Sequence, residues 1–219
     1  MSDMFALEGP RFGPASGGKP TSLVLLLHGL GADGNDLISL APYWAKALPD
    51  TAFVSPHAPF PCDMAPYGRQ WFSLQDRSPG MILAGVRAAA PILDAFIDAE
   101  LEQHGLADDK LALVGFSQGT MMSLYVAPRR TSAIAGVDGY SGALVGAELL
   151  AGEIKSKPPV LLVHGEADDI VPFQAMAAAA SGLRAAGLSV ETVARPDLPH
   201  SIDEEGLLRG GRFLAERLR

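Results

Sequence analysis

The stretch LALVGFSQGTMM, residues 111–122, decides how the rest of the chain is read. Four apolar residues run into Gly-Phe-Ser-Gln-Gly, and a helix-forming apolar segment follows at once. Glycine and serine are common in ordinary turns. Between a buried strand and a helix the same pentapeptide has a second reading. Glycines at 115 and 119 permit a turn too tight for a Cβ, and Ser117 is lifted toward solvent as a nucleophile.

A strand of this kind needs partners. The runs SLVLLLHG (22–29), TAFVSP (51–56), AIAGVDGYSG (133–142), VLLVHG (160–165) and VETVA (190–194) are short, rich in leucine or β-branched residues, and close on turn residues. Several are apolar throughout without alternating, which predicts strands covered on both faces, as in a parallel sheet between helices. Helices are expected over 36–47, 80–104, 118–127, 174–187 and 203–218, and the alternation predicts a doubly wound α/β fold. Pro128 is placed to close the helix after the serine, whereas Pro42 and Pro91 fall inside helix candidates and predict a kink or split there. The segment 55–80 has no regular period and five prolines, the mark of a long functional or mobile loop. There is no internal repeat, and 219 residues with 48% hydrophobic composition predict one domain, 1–219.

Composition excludes several functions. Seventeen basic against twenty-five acidic residues give a formal charge of -8, which disfavours nucleic acid and anionic lipid surfaces as partners. The lone Cys62 cannot form an internal disulfide, and no Cys/His cluster suggests zinc. The opening MSDMFALEGPRFG lacks a basic start followed by an apolar stretch of leader length, and no run approaches about 18 uninterrupted apolar residues. A soluble cytoplasmic protein without stable membrane insertion is the expectation.

A serine hydroxyl needs a base to take its proton. Of the five histidines, only His164 and His200 follow Ser117 in the order nucleophile, acid, base. His164 closes a strand, whereas His200 lies in the polar loop RPDLPHSIDEEG and can reach the serine turn, so His200 is the better base. HGEADDIVP offers Asp168 and Asp169 as the acid, and position alone leaves both open. His164 and Asp168 four residues apart imitate a metal pair, but in a loop and with too few further ligands, so no metal is expected. Two amides are needed for a developing oxyanion. Gln118 supplies one, and Leu30, between Gly29 and Gly31 in LLLHGLGADGND, supplies the other. Trp71 and Phe72 in the proline-bearing loop are candidates to line a substrate-binding acyl site, with core packing as their alternative.

With HGLG, PHAP, WF, GFSQG, HGEADDIVP and His200 in this order, the sequence resembles the phospholipase/carboxylesterase family of the α/β-hydrolase superfamily, which includes bacterial carboxylesterases and acyl-protein thioesterases. The resemblance implies an α/β-hydrolase fold without a large cap domain. It also implies a catalytic set of Ser117, His200 and Asp168, the aspartate four residues after His164 being the family's acid. Leu30 and Gln118 would supply the oxyanion amides. The implied activity is hydrolysis of short to medium acyl esters without a cofactor, with acyl-protein thioesterase or lysophospholipase-like activity as the alternative and a non-catalytic binding protein as the contrast from another class. Small-molecule esters or thioesters are the implied partners, and a homodimer is compatible. Two departures stand out: Thr120 replaces a usual glycine in GFSQGG, and the base is approached by PDLPH, so both are expected to bear on the pocket.

Overall fold

The computed structural model describes residues 7–219; the first six residues of the stretch read for a leader lie outside it. Six strands correspond to the predicted runs: β2 (Ser22–Leu27), β3 (Thr51–Val54), β6 (Leu111–Phe116), β7 (Gly136–Tyr140), β8 (Val160–Gly165) and β9 (Val190–Arg195). A two-residue strand, β1 (Arg11–Phe12), joins them antiparallel to β3, and all other pairings in the sheet are parallel. The order is β1-β3-β2-β6-β7-β8-β9. The chain therefore runs outward from β2 in one direction and from β6 in the other, and a crevice opens at the carboxyl ends of these two neighbours.

The continuous apolar runs are explained by two cores. In β2, Leu23, Leu25 and Leu27 join one cluster while Val24 and Leu26 join the other, as the two-residue period of a strand requires. The first cluster lies under α3 (Pro79–His104), α4 (Gln118–Val126) and α6 (Gln174–Ala185); the second lies under residues 37–48 and α7 (Glu204–Arg217). Leu113 is shut away on one side and Val114 on the other, each fully buried. Burying one such side chain contributes roughly 1.5–3 kcal/mol. The helix α3 is long and apolar enough by length and composition to cross a membrane; here Val86, Leu93, Ile97 and Leu101 pack it on the sheet.

The prolines behave differently at their two sites. The expected helix 36–47 is broken into α1 (Gly34–Leu37), a 3-10 turn (Ile38–Leu40) and α2 (Ala41–Trp44), with Pro42 in the first turn of α2. Pro91, by contrast, lies inside the unbroken span of α3, on an exposed position where water can satisfy the carbonyl it leaves free. The 55–80 segment holds a small hairpin, β4 (Phe60–Pro61) with β5 (Arg69–Gln70), and α5 (Ala147–Glu153) follows β7. None of these short elements was expected from the sequence.

Candidate active site

The serine sits on the corner its sequence suggests. β6 ends at Phe116, α4 begins at Gln118, and Ser117 between them adopts φ 55, ψ -115. This is a conformation that L-residues avoid at a cost of about 1–3 kcal/mol. The flanking glycines make it possible: a Cβ on Gly119 would lie 1.7 Å from Leu27 O, and one on Gly115 would lie 2.4 Å from the Thr120 amide nitrogen. The Ser117 amide donates to Tyr140 O at 2.9 Å, anchoring the corner to the neighbouring strand. Thr120 points away from the crevice. Its buried hydroxyl lies 2.7 Å from Gly115 O and 2.8 Å from Tyr140 O, so this departure from glycine fastens the turn to the sheet and does not line the pocket.

The loops that carry Asp168 and His200 leave β8 and β9. After β8, Asp168 turns its carboxylate inward: Oδ1 accepts the amides of Ile170 at 3.0 Å and Val171 at 2.9 Å, and Oδ2 accepts His200 Nδ1 at 2.8 Å. Asp169 is exposed. Of the two aspartates left open by position, it is Asp168 that meets His200. Burial pushes the Asp168 carboxyl up, yet the His200 hydrogen bond and the two backbone amides outweigh it and hold the group below its ordinary value. The base loop is fixed at both ends. Arg195 at the end of β9 pairs with Asp203 at 2.9 Å, and Asp203 also caps α7 through the Gly206 amide at 2.8 Å. At its inner edge the loop touches the turn that follows β8: the Ala167 amide donates to Leu198 O at 3.1 Å. The His200 ring packs on Phe116, centroids 4.7 Å apart.

Ser117, His200, Leu30 and Gln118 line one cavity of about 360 Å³, walled by Leu74, Ile82, Met121 and Ile170–Pro172. Among the described residues no hydrogen bond joins Ser117 Oγ to His200; such bonds are often long in unliganded sites and tighten with substrate. A larger groove of about 840 Å³ between residues 39–47 and α7 holds none of these groups, so the candidate site residues meet in the smaller cavity.

Trp71 and Phe72 are corrected by their burial. Their relative exposures are 0% and 2%, and neither lines the cavity. Their place is behind the glycine loop that carries Leu30: Trp71 Nε1 donates to His28 O at 3.0 Å, the Trp71 amide donates to Gln118 Oε1 at 3.1 Å, and Gln118 Nε2 donates to Phe72 O at 2.8 Å. The loop is braced again where the Gly31 amide donates to Arg69 O at 2.9 Å and the Arg69 amide donates to Ala32 O at 2.8 Å. His28 completes the support. Its Nε2 accepts the Ala58 amide at 3.0 Å, so Nδ1 carries the proton and donates to Gly29 O at 2.7 Å. Burial lowers its pKa to about 4, the bond to Gly29 opposing, and keeps the ring neutral. The Gln118 side chain and Leu74, Ile82 and Met121 were not anticipated. A glutamine beside the nucleophile was visible; its partners 46 and 47 residues away were not.

Residues 14–217 match the Phospholipase/Carboxylesterase family. The chain belongs to that family. It is 27% identical over 215 residues to acyl-protein thioesterase 1 of Gibberella zeae, covering 90% of this chain and 91% of that protein. It is 29% identical over 197 residues to esterase YpfH of Escherichia coli, covering 90% and 82% respectively. Among solved structures, esterase PE8 superposes with a TM-score of 0.93 at 42% identity, covering 97% of this chain and 99% of that one. The family's α/β-hydrolase fold is thus present, with a mostly parallel seven-stranded sheet and, among the described residues, no large cap.

Proposed function

We propose that this chain is a serine carboxylesterase that hydrolyses short to medium acyl esters through an acyl-enzyme on Ser117. The observation that carries the reading is the Asp168–His200 hydrogen bond of 2.8 Å, with His200 and the strained Ser117 lining the same cavity. Ser117 Oγ attacks the ester carbonyl carbon as His200 Nε2 takes its proton. The carbonyl oxygen becomes an oxyanion facing the amides of Leu30 and Gln118. Asp168, on His200 Nδ1, holds the ring in its working tautomer and stabilises the imidazolium. His200 then protonates the departing alkoxide, freeing the alcohol. Water, deprotonated by the same histidine, attacks the acyl carbon; the bond to Ser117 Oγ breaks as His200 returns the proton to that oxygen, releasing the acid and restoring the serine. These steps use side chains and amides of this chain alone and require no cofactor. The acting unit is the single domain 1–219, placed in the cytoplasm as a monomer or homodimer.

The cavity supports the acyl length. At about 360 Å³ it lies near the lower end of ligand pockets, roughly 300–1,000 Å³. Each methylene buried adds about 0.8 kcal/mol until the apolar wall is used up. Specificity for p-nitrophenyl esters is expected to climb from acetate to about butyrate or hexanoate and then fall. The names of the Gibberella and related relatives favour one alternative, an acyl-protein thioesterase. A wide preference for palmitoyl thioesters would select it. The deciding variant is Ser117→Ala, which is expected to lose covalent fluorophosphonate labelling together with about four or more orders of magnitude in ester turnover. Near-parental hydrolysis by that variant would overturn the serine mechanism, and a parent chain that neither labels nor hydrolyses would leave a binding protein.

A further inference from the structure

We infer that His164 is a positioning residue for the Asp168 carboxylate, a role that rests on the catalytic reading of Ser117, His200 and Asp168. His164 is the next-to-last residue of β8, 2% exposed, and does not line the cavity. Its Nε2 lies 2.8 Å from Val171 O and 3.2 Å from Asp168 Oδ2. Both neighbours can only accept, so Nε2 carries the ring proton and the N–H edge faces the carboxylate. The hydrogen bond goes to Val171 O, while the Val171 amide donates to Asp168 Oδ1 at 2.9 Å.

A closed circuit results. His164 fixes the Val171 carbonyl, the Val171 amide fixes one carboxylate oxygen, and the other oxygen is left between two imidazoles, His200 at 2.8 Å and His164 at 3.2 Å. A carboxylate buried to 0% side-chain exposure has no water to restrain it, so these few contacts decide which way Oδ2 points. The His164 ring is itself held edge-on against Phe173, centroids 6.0 Å apart at 78°. Without the N–H at this point, the turn 168–171 can relax and Oδ2 can swing away from the line to His200. The positive N–H edge also shares the charge on Oδ2.

Two conservative substitutions separate this role from simple packing. The amide nitrogen of a glutamine reaches where Nε2 of the imidazole lies, whereas that of an asparagine stops near Nδ1. His164→Gln is expected to stay within about threefold of the parent kcat, and His164→Asn to lose about 10- to 100-fold in kcat with KM nearly unchanged, the size of loss that a small misplacement produces. In an Asp168→Asn background the His164→Asn loss should shrink to about twofold or less, because the group it orients is gone. Equal losses in both backgrounds, equal losses for Gln and Asn, or a change confined to KM would overturn the inference. Failure of the underlying reading looks different: Asp168→Asn alone would then cost nothing, or Ser117→Ala would keep its label. Melting temperatures of each variant show that the comparison is made between folded proteins.

Discussion

Replacing Ser117 by glycine is expected to make the protein more stable than replacing it by alanine, although both replacements end turnover. Ser117 holds φ 55 and ψ -115, outside the left-handed helical region as well as the ordinary ones. Such a residue costs about 1–3 kcal/mol, and alanine keeps that cost because it keeps the Cβ. Glycine removes it but gains freedom in the unfolded chain, which takes back about 0.4–1 kcal/mol. From the middle of the two ranges, the difference left to glycine is about 1.3 kcal/mol in stability. For a chain of this size each kcal/mol moves the melting temperature by about 2–4 °C, so the glycine variant should melt about 3–5 °C above the alanine variant. Both variants lack the hydroxyl, so its loss cancels from the comparison. Thermal melts and urea titrations on the two proteins measure the difference, with equal urea slopes confirming that the denatured states match. If Ser117→Gly melts at or below Ser117→Ala, the corner does not store strain, and the argument from its backbone geometry fails.

Trp71→Phe keeps an aromatic ring in the buried site but loses the indole donor to His28 O and part of the ring volume; it is expected to cost about 1–3 kcal/mol in stability, and it should lower kcat while fluorophosphonate labelling persists at a slower rate, whereas an unchanged kcat would separate Trp71 from the proposed oxyanion loop. His28, lowered to about 4 in the fold, is neutral where an unfolded histidine binds a proton; stability should be full above about pH 6.5 and fall toward pH 4, by about 3 kcal/mol at most. A His28→Gln variant melted across the same range should show a flatter slope. Asp138 has the opposite sign: burial raises it to about 8, the Tyr140 hydrogen bond opposing, so the fold keeps a proton that the unfolded chain releases and stability declines as pH rises from about 4 to 8. Asp138→Asn should therefore gain stability relative to the parent with increasing pH, and a parallel pair of stability curves would contradict a neutral Asp138.

Much of this was legible in the sequence because the residues concerned answer to local rules. Leu23 to Leu27 had to be covered on both faces, since no alternation left a wet side, and Gly115 and Gly119 had to be glycine for the chain to turn at Ser117. The short elements left no comparable trace. β1, β4 and β5 have two residues each, too few for a period, and AELLAGE in α5 spans under two turns. Trp71 and Phe72 show a different gap. An aromatic side chain suits a pocket wall and a core equally well, and what settled their place was a glutamine 46 to 47 residues away in sequence. Pro42 and Pro91 show a third, because both are exposed prolines within helix candidates, yet one opens a new helix in its first turn and the other lies inside an unbroken one.

The pairing of Gly31 and Ala32 with Arg69 has a bearing on how this scaffold tolerates redesign. Surface loops normally accept added residues, and one as long and proline-rich as 55–80 would be a natural place to graft a lid or a recognition segment. Here both stems are committed: Ala58 holds His28, Arg69 holds the glycine loop, and Trp71 holds Gln118. A graft near either stem would shift the register of amides 40 or so residues away in the chain and reshape the proposed site. Freedom is confined to the tip between Cys62 and Gly68, where Met64 and Tyr67 stand 52% and 75% exposed and nothing catalytic is attached.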